Sequence, residues 1–305
     1  MSIRISRAFD DPERIVSLVR QHGPYPSIAS YLPPTATSGS ASPGPERTSA
    51  WFRGNWAVAG RPLVDGASAI LGNPRFAAAA AELFAVETVT PTTVVVNVNA
   101  PMPAGAVHLD IPSFRGASRD AYPLRLLQAM GASGLFEPWR IVEAGSVTWF
   151  YDGPGGAYDY WPEGLDGPMR SERPPYWNTS LVADNDRMYH RIGEVGEATQ
   201  QSQTFPVGAS INHRQSGEWE VVDGGRPLHV FPDAAVRISI LWKAQVVMSD
   251  EAQARPPLSL DRVSSILNDD MAERGVNVPT TLYPPVSDAW IDLVHETYYP
   301  VVNVG

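Results

Sequence analysis

Apolar residues recur at helical spacing in two early stretches. In "DDPERIVSLVRQH", residues 10–22, Ile15, Val16, Leu18 and Val19 fall near one side and Gly23-Pro24 closes the pattern, which predicts a short helix. In "DGASAILGNPRFAAAAAELFAV", residues 65–86, two helices are divided at Gly72-Asn73-Pro74, the second capped by Asn73 with Pro at its first position. The first ninety residues therefore read as mainly helical. Between the two stretches, Ser, Pro, Thr and Gly dominate residues 35–49, which predicts a loop; loops of that length usually carry function, so this one is a candidate lid or a plain surface loop.

From Thr92 the pattern changes to short runs of β-branched and aromatic residues separated by Gly, Pro, Asn and Asp. Strands are predicted at 92–99, 106–111, 146–152, 156–161, 179–183, 188–193, 218–222 and 236–248, with a helical insertion in "YPLRLLQAMGASGLF" between the second and third. After Pro257 helical spacing returns, with Ser259 and Ser287 as caps. Eight strands with hairpin-like turns in one block point to a jelly roll or barrel and away from a parallel sheet. The expected architecture is mainly β with flanking α, a single domain over 1–305. Its parts are a helical 1–90, a jelly-roll core at 91–250 and C-terminal helices at 251–305.

Composition narrows the chemistry. The chain has no cysteine, which removes disulfides, thiolate nucleophiles and Cys-held metals together. Any metal must be held by His, Asp or Glu, donors that suit Fe(II), Mn(II) or Zn(II). A net charge of −10, with 23 Lys+Arg against 33 Asp+Glu, speaks against nucleic acid as a partner. No run approaches the ~20 apolar residues that span a bilayer, and the start has no apolar core of a signal peptide, so no membrane partner and a cytoplasmic address are expected.

The candidate chemistry sits in "VHLD". On a strand, residues i and i+2 share a face, so His108 and Asp110 would converge while Leu109 points away. A second His on that face would complete the two-His, one-carboxylate set that leaves positions open on a metal. His22 and His295 fall in helical segments and His213 reads as a loop residue. Two candidates remain: His190, in the strand–turn–strand unit "SLVADNDRMYHRIG", and His229, in the shorter "GRPLHVFPDAAVRIS".

The order of a His-x-Asp on an early strand, a "D-x-x-x-H-R"-like hairpin with a distal His, and an Arg-x-Ser on a last strand resembles the Fe(II)- and 2-oxoglutarate-dependent oxygenases, and within them the phytanoyl-hydroxylase-like branch. The resemblance covers roughly residues 92–248. It implies a double-stranded β-helix, His108 and Asp110 as proximal ligands of Fe(II), His190 as the distal one, and Arg237 with Ser239 on the distal carboxylate of 2-oxoglutarate. It further implies O2-dependent oxidation of an aliphatic C–H in a small-molecule substrate, with release of succinate and CO2. Because Asp110 fills the position left open in halogenating relatives, halogenation is disfavoured. One departure stands: 47 residues separate His190 from Arg237, where many members place the Arg much closer. Either a segment is inserted between the last strands, or His229, eight residues before Arg237, is the third ligand. Arg191 would point to the face opposite His190, and Arg214 is a weaker anchor in a loop.

Trp149 and Tyr151 alternate on one strand and Tyr158 and Tyr160 on the next, so these aromatics line either a substrate cavity or an ordinary core. Asn97 and Asn99 either face the cofactor pocket or end their strand; Asn97 is counted with the cofactor residues. Two rivals remain, a cupin-type metalloenzyme working without 2-oxoglutarate and a non-catalytic jelly-roll binding module, and the sequence leaves homodimer formation open.

Overall fold

The computed structural model describes residues 2–31, 46–201, 203–246, 255–278 and 287–299. The described residues fall into two compact units, one from Met1–His108 with Ala144–Gln245, the other from Leu109–Glu143 with Val246–Gly305.

The first unit is built on a seven-stranded sheet. Its spatial order is Ser2–Ile5, Tyr176–Ala183, Glu143–Tyr151, Arg237–Val246, Val89–Asn99, Trp51–Val58 and Arg61–Pro62. Strand parity sorts its side chains. Phe150, Trp242 and Val94, Val96 and Val98 occupy one parity, and all five are buried. Phe76, from the helix Pro74–Phe84, packs on Trp242 at 5.6 Å between ring centroids, and Phe9 bridges Phe76 at 5.5 Å and Phe150 at 6.3 Å. That helix forms where the sequence predicts it, with Asn73 Oδ1 accepting from Arg75 N and Pro74 in the first turn. The other parity carries Trp149, Tyr151, Asn97, Asn99, Arg237 and Ser239, and this face holds the site. A three-stranded sheet of Arg170–Glu172, Tyr158–Trp161 and Tyr189–Ile192 meets it, Trp149 touching Tyr158 at 5.3 Å. The protein is thus mainly β with flanking helices, its facing sheets forming a double-stranded β-helix.

Several expectations need correction. The first ninety residues contain the three predicted helices, at Pro12–Gln21, Ala67–Leu71 and Pro74–Phe84, but also strands, of which Trp51–Val58 is the longest. In "WFRGNWAV", Phe52 and Trp56 bury one face; Gly54 sits between them because a Cβ there would lie 2.8 Å from the Tyr25 ring. No strand runs over 106–111; His108 alone makes an isolated antiparallel bridge, to His190, because Pro101 and Pro103 upstream and Pro112 downstream interrupt the ladder. The 47-residue separation contains strands Thr204–Pro206, Ser210–His213, Glu218–Asp223 and Arg226–Pro232, so His213 lies on a strand and not in a loop. The last three of these strands join Tyr25–Pro26 in a four-stranded sheet, buried around Ile211, Trp219, Val221 and Phe231. Of the predicted 35–49 loop, Arg47–Ser49 pair with Thr204–Pro206, and 35–45 lie outside the described residues, as do 247 and 248 at the end of the last predicted strand.

The second unit is helical. Leu124–Ser133, Leu260–Glu273 and Asp288–Tyr298 surround a core that includes Leu126, Met130, Phe136, Leu267, Met271 and Trp290. Ser259 and Ser287 cap the last two helices through Arg262 N and Trp290 N, as the sequence predicts.

Candidate metal centre

His108 and His190 are held against each other by two backbone hydrogen bonds, His108 N to His190 O at 3.0 Å and His190 N to His108 O at 2.9 Å. Their ring centroids are 4.4 Å apart. In each, Nδ1 faces a backbone carbonyl two residues back: Ala106 O at 2.9 Å for His108 and Met188 O at 2.8 Å for His190. A carbonyl only accepts, so both Nδ1 atoms carry a proton, and in the neutral ring Nε2 is then the nitrogen that offers a lone pair. That tautomer is the one a metal-ligating imidazole needs, and the carbonyl fixes the ring as well as the proton. Asp110, two residues along the chain from His108, brings a carboxylate, and the ligand atoms of His108, Asp110 and His190 all lie within 4.8 Å of one another.

The other histidines are elsewhere. His229 sits on Arg226–Pro232, opposite Val221 in the four-stranded sheet and with its ring 4.3 Å from Phe231, and does not join the cluster. His22 contacts Trp56 and Asp65 O, His213 contacts Trp219 and Asp233, and His295 packs on Tyr299.

Arg237 is 2% exposed and has no carboxylate partner among the described residues. Its Nε donates to Gly156 O at 3.0 Å and to Tyr176 Oη at 3.1 Å, and Nη1 donates to Ser239 Oγ at 3.3 Å and Asn99 Oδ1 at 3.5 Å. A buried guanidinium held only by neutral acceptors retains most of its desolvation cost, which an anionic ligand would offset. Gly156, with φ +73°, permits the close approach, since a Cβ there would lie 2.7 Å from Tyr151 and 3.2 Å from Arg237 Cδ. The alternative cations are engaged: Arg191 pairs with Asp159 at 3.0 Å and Arg214 with Glu220 at 3.6 Å.

The aromatics form one wall. Trp149 contacts Tyr158 at 5.3 Å and Tyr176 at 5.1 Å, Tyr158 contacts Tyr160 at 5.9 Å, and Tyr158 lies 5.6 Å from His190. Trp149 Nε1–H is fully buried with no acceptor among the described residues. Tyr151 turns its hydroxyl to Pro154 O at 2.9 Å, and burial pushes that phenol up to about 12. Asn97 shares the face but bonds Trp51 and Arg53, and it is Asn99 that reaches Arg237. Tyr176 and the Gly156 carbonyl are thus the contacts of Arg237 that the sequence reading did not assign, whereas Asn99 is one that it weighed for this pocket. Tyr176 escaped because it stands at the edge of a run read as starting at 179.

No family model matches the chain, and no curated protein matches it. Similar solved structures include a 2OG-Fe(II) oxygenase family oxidoreductase from Burkholderia pseudomallei, with TM-score 0.43 and 13% identity over 80% of this chain and 84% of that one. A Pseudomonas putida prolyl-4-hydroxylase gives TM-score 0.40 and 11% identity over 81% and 93%. A Trichoplax adhaerens prolyl hydroxylase, solved with a hypoxia inducible factor oxygen degradation domain peptide, gives 0.42 and 9% over 84% and 87%. One of these neighbours is thus a 2OG-Fe(II) oxygenase family protein and two are prolyl hydroxylases, and none of the three is described as a phytanoyl hydroxylase.

Proposed function

We propose that the protein is a non-haem Fe(II)- and 2-oxoglutarate-dependent dioxygenase acting on an aliphatic C–H of a small molecule. The observation that carries this is the pairing of two histidines and a carboxylate with a buried guanidinium that has no acid partner among the described residues. His108, Asp110 and His190 would hold Fe(II), a hard-to-borderline ion that such a donor set suits, and leave coordination positions open. With 2-oxoglutarate bound, the metal supplies O2 activation and the oxidation, the 2-oxo acid leaving as succinate and CO2.

The chain's own part is positioning. The carbonyls of Ala106 and Met188 hold the Nδ1 protons and aim the rings. Arg237, with Ser239 beside it, receives the distal carboxylate of 2-oxoglutarate in a site from which Tyr151, Tyr176 and Trp149 exclude water. A cupin without 2-oxoglutarate has no use for that buried cation, and a binding module has no use for two oriented Nε2 lone pairs. The test is metal analysis and succinate production. One Fe(II) per chain and slow conversion of 2-oxoglutarate to succinate are expected; folded protein that binds no iron and makes no succinate refutes the reading.

A further inference from the structure

On the sheet face turned away from Arg237, a cavity of about 280 Å3 lies beside the helix Pro12–Gln21. Phe150, Trp177 and Ile238 line it from the sheet and Val16 from the helix, all within the first unit. The volume is about nine waters' worth, which suits a small organic molecule.

A bulge builds the aromatic part of the lining. Trp177 pairs with Phe150 and Thr179 with Trp149, so Asn178 is an extra residue between them, at φ +59°. Without it, Trp177 would share the face of Thr179 and Trp149; with it, Trp177 lies on the opposite face beside Phe150. The Asn178 amide is fastened at both atoms, Oδ1 accepting from Phe9 N and Nδ2 donating to Phe9 O, each at 2.7 Å. Trp177 stays 37% exposed there, its ring at 85° to that of Phe150 with centroids 5.4 Å apart. Aromatic faces carry the negative part of the ring quadrupole, so such a corner attracts a cation.

The charges of the lining agree. Arg20 gives Nε and Nη2 to Asp233, whose Oδ1 also accepts from Trp219 Nε1 at 2.8 Å, so those two charges answer each other. Asp152, exposed and two residues past Phe150, has no charged partner among the described residues. One positive group thus stands against two negative ones, and the uncompensated charge is that of Asp152.

We propose that this cavity is a second ligand site, which takes a small quaternary or alkylated ammonium ion. Its apolar substituents would lie on Phe150, Trp177 and Ile238, and its charge would face Asp152. Val236 and Ile238 bracket Arg237 along its strand, and Arg237 and Ser239 point to the other face, so the sheet separates this ligand from whatever Arg237 holds. The assignment does not depend on the oxygenase reading.

The test is calorimetric titration of the full chain with choline, with benzyltrimethylammonium and with 3,3-dimethyl-1-butanol, which has the shape of choline without its charge. The wild type should bind both cations saturably, roughly tenfold more tightly than the alcohol, and the Trp177 indole N–H resonance should move with them. W177L removes one face of the corner and should weaken cation binding roughly tenfold, W177F less so. D152N keeps the shape without the charge and should weaken it about threefold to fivefold. Both positions are exposed, so the variants should melt near the wild type. Equal binding of choline and the alcohol, no saturable binding of either cation, or undiminished cation binding in folded W177L or D152N overturns the site. Should W177L fail to fold, D152N and the Trp177 resonance decide.

Discussion

Replacing Arg237 with Gln separates a ligand's counter-charge from a structural cation. Truncating one half of a buried ion pair costs about 3–5 kcal/mol because the other charge is stranded. Among the described residues Arg237 has no such partner: it donates to Gly156 O, Tyr176 Oη, Asn99 Oδ1 and Ser239 Oγ, all neutral. Losing the two Nε bonds costs about 1 kcal/mol each, and removing a poorly compensated buried charge offsets part of that. The apoprotein should therefore melt close to the wild type. The ligand response should not survive. At 2-oxoglutarate 100 times its Kd, binding stabilises the wild type by about 2.7 kcal/mol. Loss of a charge-assisted contact worth about 2 kcal/mol raises Kd roughly 30-fold, and the same concentration then stabilises by only about 0.9 kcal/mol. At about 2 °C per kcal/mol for a chain of this size, the ligand-induced rise in Tm falls from about 5 °C to about 2 °C. The assay is an anaerobic melt with Fe(II), with and without 2-oxoglutarate, alongside KM for 2-oxoglutarate in succinate formation. Equal ligand-induced shifts in the two proteins would show that the guanidinium does not meet the carboxylate.

Three further outcomes are expected. His190→Ala should lose bound iron at least tenfold in metal analysis while His229→Ala keeps it, since the ring of His229 packs on Phe231; iron retained in His190→Ala would return the third ligand to open question. Gly156→Ala places a Cβ at φ +73°, 2.7 Å from Tyr151, so it should cost about 1–3 kcal/mol in denaturant unfolding and raise KM for 2-oxoglutarate by displacing Arg237; unchanged stability and KM would contradict the close approach. In the second unit, the Tyr298 hydroxyl and then Arg274 hold the Asp270 carboxyl below the usual range. A depressed carboxylate contributes stability above its unfolded pKa and loses it as pH falls through the folded one, so Asp270→Asn should be less stable than wild type at neutral pH, with the gap closing below about pH 4. A pH-independent gap would be inconsistent with that linkage.

What the sequence makes legible is strand parity, because it is local. The strands carrying Trp149, Tyr158, His190 and Arg237 announce themselves as β-branched and aromatic runs, and parity then sets Asn97 and Asn99 on one face. For His108 and Asp110 the structure supplies a different local cause from the one the sequence suggests. Same-face geometry on a strand predicts their convergence, yet no strand runs there; a single bridge to His190 pins His108, and the chain places Asp110 two residues on. Pairing with a partner 82 residues away is invisible to a reading that works in windows of ten.

The same blindness explains the separation between His190 and Arg237. A window sees 46 intervening residues and looks for a nearer histidine, whereas those residues include four strands, three of them in a sheet of their own with Tyr25–Pro26. The chain leaves the His190 sheet, completes that sheet and enters the seven-stranded one at Arg237. Continuity across the excursion runs through Gly156: its carbonyl accepts from Arg237 Nε at 3.0 Å, and two residues on, Tyr158 pairs with Ile192 on the His190 strand. A single glycine turn thus ties the cation to the histidine sheet, and an insertion of any length can leave that geometry intact provided its ends return to the same two strands. Spacing between site residues is therefore a weak criterion in this fold, and the partners each residue's backbone keeps are the stronger one.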